Sequence, residues 1–408
     1  MKKSVILQYD CKFTPTTYKY MINRDLEKTL FELLQKFPAI NITGPRQSGK
    51  TTLAKNLTGY NYFSLENPDT RLFAESDPRG FLRSAGEKFI LDEVQHVPAL
   101  FSYLQEILDN RRENGKAILL GSQSFLVNQH ISQSLAGRVA LLKLLPLSYS
   151  ELQNANFGGQ NIDNVLFKGG YPRLYNEDID PVYFFPNYIE TYLQRDVRLL
   201  KNIENQTTFV RFIKLCAGRV GQILDFSSLA NDAGIAVNTV KSWLSVLEAS
   251  YILYFLQPYS GNVNRRLIKS PKLYFYDTGL ACSLLNIENE KQLATFYLRG
   301  NLFENFVLSE LFKARYNGGL PANYFYLRDS KGVEVDCIQE LSDGIRFIEI
   351  KSSETLSTDH IKNIVSMRNL FKNTENYVIY AGQSIQDFHG VVFVNWKETR
   401  NFDKQKNE

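Results

Sequence analysis

The chain lacks any pair of cysteines close enough in sequence to share a metal or staple a short loop. Cys11, Cys216, Cys282 and Cys337 lie far apart with no C-x-x-C among them, which argues against a zinc site or a disulfide framework and for reduced, mostly buried thiols. No window reaches the ~18 uninterrupted apolar residues that a membrane span requires. The opening stretch MKKSVILQYDCKF carries an apolar run only about half as long as a secretory core, with no small-residue cleavage site after it. A soluble, cytoplasmic protein with no membrane partner is therefore expected. A large excess of one charge is missing as well: 47 Lys+Arg against 43 Asp+Glu leaves +4, too little to name nucleic acid as a partner, although local basic patches stay open. There is no internal repeat and no low-complexity tract.

The chain does have length and rhythm. At 408 residues it exceeds one ordinary core and predicts two or three domains of about 100 to 200 residues each. From Phe37 to Leu145, short apolar runs (PAINIT, YNYFSL, KFILDE, KAILLGS) alternate with amphipathic segments, a rhythm that predicts an α/β unit with a parallel sheet wrapped by helices. From Ile162 to Lys201 the pattern turns helical and aromatic, with GGYPRLY read as a turn and YFFPNYIETYLQRDVRLL as a helix. Three helical segments and the strand-like YILYFL fill Thr208 to Leu256, and helix and strand alternate again from Leu302 to Val394. The polar end NFDKQKNE is expected to fray.

Between the first strand and the helix-compatible TTLAKNL lies GPRQSGKTT. Gly44, Gly49, Lys50 and Thr51 fit G-x-x-x-x-G-K-[ST], a loop whose backbone N–H groups curl around a nucleotide's phosphates. The candidate binding run is Gly44, Pro45, Arg46, Gln47, Ser48, Gly49, Lys50, Thr51 and Thr52. Lys50 supplies charge for the β/γ oxygens, the Thr51 hydroxyl is a magnesium ligand, and the following helix adds its positive end. KFILDEVQ then ends a strand in Asp92 and Glu93. In such a site the first acid holds magnesium and the second polarises the attacking water. Ser122, after the next strand, could position that water or sense the γ-phosphate, with an ordinary turn serine as the plain alternative. Arg138 in SLAGRVALL could approach the γ-phosphate from its own or a neighbouring subunit, as arginine fingers do, or be a surface arginine.

GPRQSGKTTL, FILDEVQ, LLGSQSFL and LAGRV, in this order, resemble the AAA-type ATPase domain of a widespread prokaryotic family whose C-terminal half is classed as a domain of unknown function. GGYPRLY, YIETYLQRDV, YFYDTGL, GNLFENFVLSEL and VEVDC resemble that half, so the likeness spans nearly the whole chain. It implies ATP and magnesium as cofactors and leaves the biological role open.

LDFSSLANDAGIAVNTVKSWLSVLEAS reads as two helices about a turn at Gly234, with Asn238 as N-cap of the second. Thr239 to Glu248 would bury Val240, Trp243, Leu244 and Leu247 and expose Lys241 and Ser242. Such a pair could place its second helix in a DNA major groove, but few basic residues line it, and a packing module is the alternative. GNVNRRLIKSPK adds Arg265, Arg266, Lys269 and Lys272, read as phosphate contacts on a wing-like loop or as a solvated charge run.

In VEVDCIQELSDGIRFIEIK two strands are expected about a turn at Asp343 and Gly344. Asp336 is placed late on the first, and Glu349 and Lys351 share one face of the second. Such a D…E-x-K set can hold divalent ions on Asp336 and Glu349, with Lys351 orienting or activating water. Glu304, on a helix whose apolar side is Leu302, Phe303, Phe306, Val307 and Leu311, could add a carboxylate. The set resembles the PD-(D/E)XK nuclease fold, with Glu304, Asp336, Glu349 and Lys351 on its motif positions, although Val335 stands where the motif has proline. The plain alternative is a hairpin with a same-face Glu and Lys, and the fold also serves inactive binding modules.

The expected architecture is α/β: an AAA-type P-loop ATPase domain over residues 1–155, a helical connector with a winged-helix-like module over 156–290, and a restriction-endonuclease-like α/β domain over 291–400. The expected function is magnesium-dependent ATP hydrolysis coupled to an action on DNA. The alternative is a nucleotide-dependent switch or protein-partner-binding protein with a silent nuclease-like domain. A nucleotide kinase is disfavoured, because Asp92 and Glu93 form a water-activating pair and no small-acceptor site is evident.

Overall fold

The computed structural model describes residues 22–110, 113–122, 135–159, 161–192, 205–261, 269–385 and 387–403. Cys11, Arg265 and Arg266 lie outside them. Helix α1 (Leu26–Leu34) precedes strand β1 (Ala39–Thr43), helix α2 (Lys50–Lys55), and strands β2 (Asn61–Ser64), β3 (Phe89–Asp92), β4 (Ala117–Gly121) and β5 (Val139–Lys143). The strands form one sheet in the order β2-β3-β4-β1-β5, every pair parallel. β1, β3 and β4 are buried throughout, which is why they read as continuous apolar runs: helices cover both faces of a parallel sheet. β5 forms the edge beside β1.

Helices α3 (Pro172–Asn176), α4 (Pro181–Tyr188), α5 (Gln206–Ala217), α6 (Phe226–Ala233) and α7 (Val237–Ala249) follow. GGYPRLY is thus a helix start rather than only a turn: Pro172, at the first helical position, has the fixed φ a helix needs there. α6 and α7 join at Gly234 in the left-handed conformation, with Asp225 capping α6. Asn238 is not the cap of α7; that helix begins one residue earlier and Ala236 precedes it, with no side-chain cap. Val240, Trp243, Leu244 and Leu247 are buried as the periodicity requires. After α7 comes an antiparallel pair, β6 (Leu253–Leu256) and β7 (Lys272–Phe275).

Helices α8 (Thr278–Leu284) and α9 (Arg299–Asn317) lead to a second sheet built from β8 (Tyr324–Arg328), β9 (Glu334–Glu340), β10 (Ile345–Lys351), β11 (Thr374–Tyr380) and β12 (Val392–Asn395). Its order is β12-β11-β10-β9-β8; β8, β9 and β10 run antiparallel and β10, β11 and β12 parallel. Because β9 extends to Glu340, Asp336 lies in its first half rather than late on it. One apolar core runs from Leu145 through the middle helices and α9 to Cys337, Ile348 and Ile379 on the second sheet, so the middle and C-terminal parts share an interior. Cys216, Cys282 and Cys337 are buried free thiols. Among the described residues, no helix is long and apolar enough to cross a membrane.

Candidate functional site

Parallel register brings the ends of β1, β3 and β4 to the same edge of the first sheet, so Gly44, Glu93 and Ser122, each just past its strand, gather there. Gly44 leaves β1 where a Cβ would lie 2.1 Å from the Leu144 carbonyl oxygen. Gly49 has φ 95° immediately before α2, a conformation an L side chain resists. Lys50 Nζ donates to the carbonyls of Gly44 (2.9 Å) and Pro45 (2.8 Å), which fixes its charge over the loop. Burial pushes Lys50 below its ordinary range, against the pull of Glu93 and Asp92. Arg46 pairs with Glu66 at 3.1 Å, Gln47 takes a positive φ, and the Ser48 hydroxyl is buried with no hydrogen-bond partner among the described residues.

Thr51 Oγ1 donates to Asp92 Oδ2 at 2.7 Å, and the Tyr62 hydroxyl donates to the same oxygen at 2.7 Å. The two residues expected at magnesium are therefore side by side. Glu93, in the left-handed region with φ 54°, turns its Oε2 toward the Ser122 N–H (3.2 Å) and hydroxyl (2.9 Å), and accepts a further bond from Gln95. Burial would raise the Glu93 carboxyl, but the Lys50 charge and the bonds from Gln95 and Ser122 outweigh it and hold it below the usual range, ionised as a base must be. Ser122 is fully buried and bonded to this acid.

Arg138 does not reach this edge in its own chain. It precedes β5, its carbonyl accepts from Ala39 N–H at the start of β1, and the loop begins at the other end of that five-residue strand, ~15 Å away at 3.3 Å per residue. Its guanidinium pairs instead with Asp109.

Two supports of the loop have no local signal in the sequence. Arg24, buried, donates to Ser48 O (2.6 Å) and Leu145 O (2.7 Å) and pairs with Glu151 at 3.0 Å. Tyr251, which precedes β6, brings its hydroxyl within 2.6 Å of Thr43 Oγ1. Beside Gly49, Thr52 and Leu53 a cavity of about 290 Å³ opens against Ile22, Asn56 and Pro172.

The second constellation lies on the other sheet. Cys337 pairs with Ile348, so Asp336 and Glu349 follow on one face, one step along. Lys351 Nζ bonds both, at 3.0 Å to Asp336 Oδ2 and 2.5 Å to Glu349 Oε2, and Ile350 N–H donates to Asp336 Oδ2 at 2.8 Å. Burial and the neighbouring Asp336 raise Glu349 well above the usual carboxylate range. Burial acts on Asp336 too, but Lys351 and Lys272 hold it low. Glu349 is wholly buried, and among the described residues its Oε1 has no hydrogen-bond partner. Glu304 faces the same region from α9 and accepts from the Tyr274 hydroxyl at 2.5 Å; burial raises it, against the pull of Lys272. Among the described residues, no group of three or more His, Cys, Asp or Glu side chains is arranged to hold a metal ion.

Lys272 corrects the reading of the basic stretch. It is 3% exposed and pairs with Glu304 (3.2 Å) and Glu334 (2.6 Å), so it cannot contact a phosphate backbone from a solvated loop; only Lys269 of that set is described and exposed. Glu334 was missed, although alternation along VEVD places it on the Asp336 face.

A family profile described as AAA domain matches residues 36–153. Two others match residues 159–291 and 299–399, described as Domain of unknown function (DUF8612) and Domain of unknown function (DUF4143). An uncharacterized protein of Mycobacterium tuberculosis is 32% identical over 342 residues, covering 82% of this chain and 75% of the relative. An uncharacterized protein of Haemophilus influenzae is 23% identical over 397 residues, covering 87% and 93%. Among solved structures, the Walker-type ATPase of Pyrococcus abyssi is similar at 15% identity and TM-score 0.40, covering 65% of this chain and 96% of that one.

Proposed function

This chain belongs to the family of the uncharacterized mycobacterial protein that it matches over 342 residues, and from its AAA domain we propose that it binds ATP with magnesium and hydrolyses it. The carrying observation is the convergence at one sheet edge of Lys50 on the loop carbonyls, Thr51 on Asp92, and Glu93 on Ser122. Gly44 to Thr52 take the phosphates, and the unpartnered Ser48 hydroxyl is one more donor for them. Thr51 and Asp92 would hold magnesium, which neutralises charge developing on the phosphoryl oxygens. Glu93 accepts a proton from the attacking water, and Ser122 orients Glu93. The base occupies the cavity beside Leu53 and Pro172. Residues 1–155, 156–290 and 291–400 are the three units of this reading, with the helices and hairpin of the second as a winged-helix-like module.

Replacing Lys50 with Ala removes the side-chain cation held on the Gly44 and Pro45 carbonyls. ATP affinity should fall about 100-fold, the worth of a lost charge-assisted contact or two, as read by equilibrium binding of a fluorescent ATP analogue. Unchanged affinity in a folded variant overturns the assignment.

The C-terminal acidic residues supply the action to which hydrolysis is coupled. In this reading the sheet is that of a nuclease-like fold: Asp336 and Glu349 hold a divalent ion, Glu304 adds a carboxylate, Lys351 orients water, and the substrate is DNA. The unpartnered Glu349 Oε1 fits a cation. A second reading, a nucleotide-dependent switch acting on a protein partner with this site silent, is favoured by the lysines already seated on the carboxylates. Metal-dependent nicking of DNA that disappears with Asp336→Ala supports the first; no cleavage with any metal supports the second.

A further inference from the structure

We propose that Lys272, carried by the β6–β7 hairpin of the middle module, is a working member of the C-terminal acidic site: an internal cation that occupies the carboxylates and keeps a divalent ion out. This rests on the reading of Asp336 and Glu349 as a cation site.

Lys272 opens β7 and is pinned there by its pairing with Leu256 and by a bridge to Ile223. Its ammonium crosses from that module to the other, reaching Glu334 Oε1 on β9 and Glu304 Oε1 on α9. Two residues along the strand, and so on the same face, Tyr274 donates to that same Glu304 oxygen. The hairpin thus engages Glu304 twice. On the other side of the cluster, Lys351 covers Asp336 and Glu349, and Arg328 covers the second oxygen of Glu334.

The pairing does not satisfy every oxygen. Among the described residues no donor reaches Glu349 Oε1, and a buried carboxyl oxygen without a partner is costly. The site therefore keeps acceptor capacity that a metal would use, while the oxygens that would complete its shell are held by an ammonium. A dication and the Lys272 ammonium would repel each other strongly at the few ångströms this cluster allows. Occupancy by the metal requires Lys272 to withdraw or to be absent. A lysine serving only to neutralise buried carboxylates would leave a damaged site when removed, not a better metal site, and this difference makes the proposal testable.

The test is isothermal titration of Mn²⁺ into the nucleotide-free full chain, with thermal melting as the check on folding. Lys272→Met should bind Mn²⁺ at least tenfold more tightly than wild type, and adding Asp336→Asn should remove the gain. Lys272→Arg, which restores a cation, should return the affinity to the wild-type level. Because Lys272→Met leaves Glu304 with Tyr274 and Glu334 with Arg328 as their remaining partners and could fail to fold, Lys272→Met/Glu334→Gln serves as its charge-balanced counterpart, in which the same gain is expected at unchanged net charge. If neither folded variant binds Mn²⁺ more tightly than wild type, the proposal is overturned. Should wild type then already show binding that Asp336→Asn removes, the cation-site reading survives without the Lys272 role; should no protein show such binding, both fall.

Discussion

At the edge of the first sheet, Lys50 is held by two backbone carbonyls, neutral groups that a phosphate can replace with profit. In the second sheet, Lys351 and Lys272 are each held by two acidic side chains, partners that an incoming ligand must displace. One site offers an anionic ligand a cation whose direct hydrogen-bond partners are neutral, while the other balances most of its own charge. The supports differ in the same way. The loop over residues 44 to 51 takes its path from its own backbone conformation and is braced from outside by Arg24 and Tyr251, whereas the acidic cluster itself is assembled from α9, β7, β9 and β10 and depends on their packing.

The largest expected effect tests whether the first site is built for turnover. Glu93→Gln keeps the bonds to Ser122 and Gln95 within reach of an amide but removes the base, and phosphate release should fall ~10² to 10⁴-fold while binding of the ATP analogue is kept. Equal loss in Asp92→Asn with none in Glu93→Gln would exchange their roles. Next, Arg24→Met tests whether the loop needs its buried brace. With Glu151 stripped of its cation, a destabilisation of about 3 to 5 kcal/mol is expected, measured by urea unfolding; a loss below ~1 kcal/mol would mean that the loop is held by its backbone alone.

The third prediction uses pH to separate the sites. Glu349 and Glu304 have raised values in the folded chain, so above the ordinary carboxylate range, near pH 4.5, the unfolded chain loses protons that the folded chain keeps. Their contribution to stability therefore falls as pH rises from that point toward the raised values. Glu93 and Asp336 are depressed, so they add stability that is lost only as pH falls below about 4. Glu349→Gln should flatten the decline of melting temperature between pH 5 and 8, with a gain of roughly 3 °C at the upper end; an unaltered slope would assign the decline elsewhere. Tyr251→Phe deletes the bond to Thr43 and should cost about 1 kcal/mol, seen as a small shift of the urea midpoint. Smallest of all, Arg138→Ala should change ATP affinity by less than ~0.5 kcal/mol, because the residue stands at the far end of β1; a larger change would bring in Arg138 from a neighbouring copy.

The phosphate loop was legible because its chemistry is local. Two glycines, a lysine and a threonine at fixed spacing, between an apolar run and a helix-compatible one, dictate backbone path and ligand type together. Asp92 and Glu93 were legible for a related reason: in a parallel sheet, the residue ending one strand lies beside the loop ending another. The D…E-x-K set could be read from alternation along two adjoining strands. Lys272 was misread because its neighbours, Arg265, Arg266 and Lys269, suggest a solvated run, and nothing local marks the residue at which the chain turns inward.

By itself, then, the sequence determined the α/β class, the parallel first sheet, the strand–loop–helix path through residues 39 to 55 with two acids at the end of β3, and which residues of the acidic strands share a face, since each follows from φ preferences, a two-residue or 3.6-residue period, or the geometry of one turn. Tertiary structure alone decided that Arg24 braces Ser48, that Arg138 points away from the loop of its own chain, that Tyr251 touches Thr43 across 208 positions, and that Lys272 joins Glu304 and Glu334. Those contacts depend on how whole elements pack. The apolar surface that drives the packing is non-directional, so it specifies which faces meet without marking, at any one position of the chain, the polar partner that will be found there.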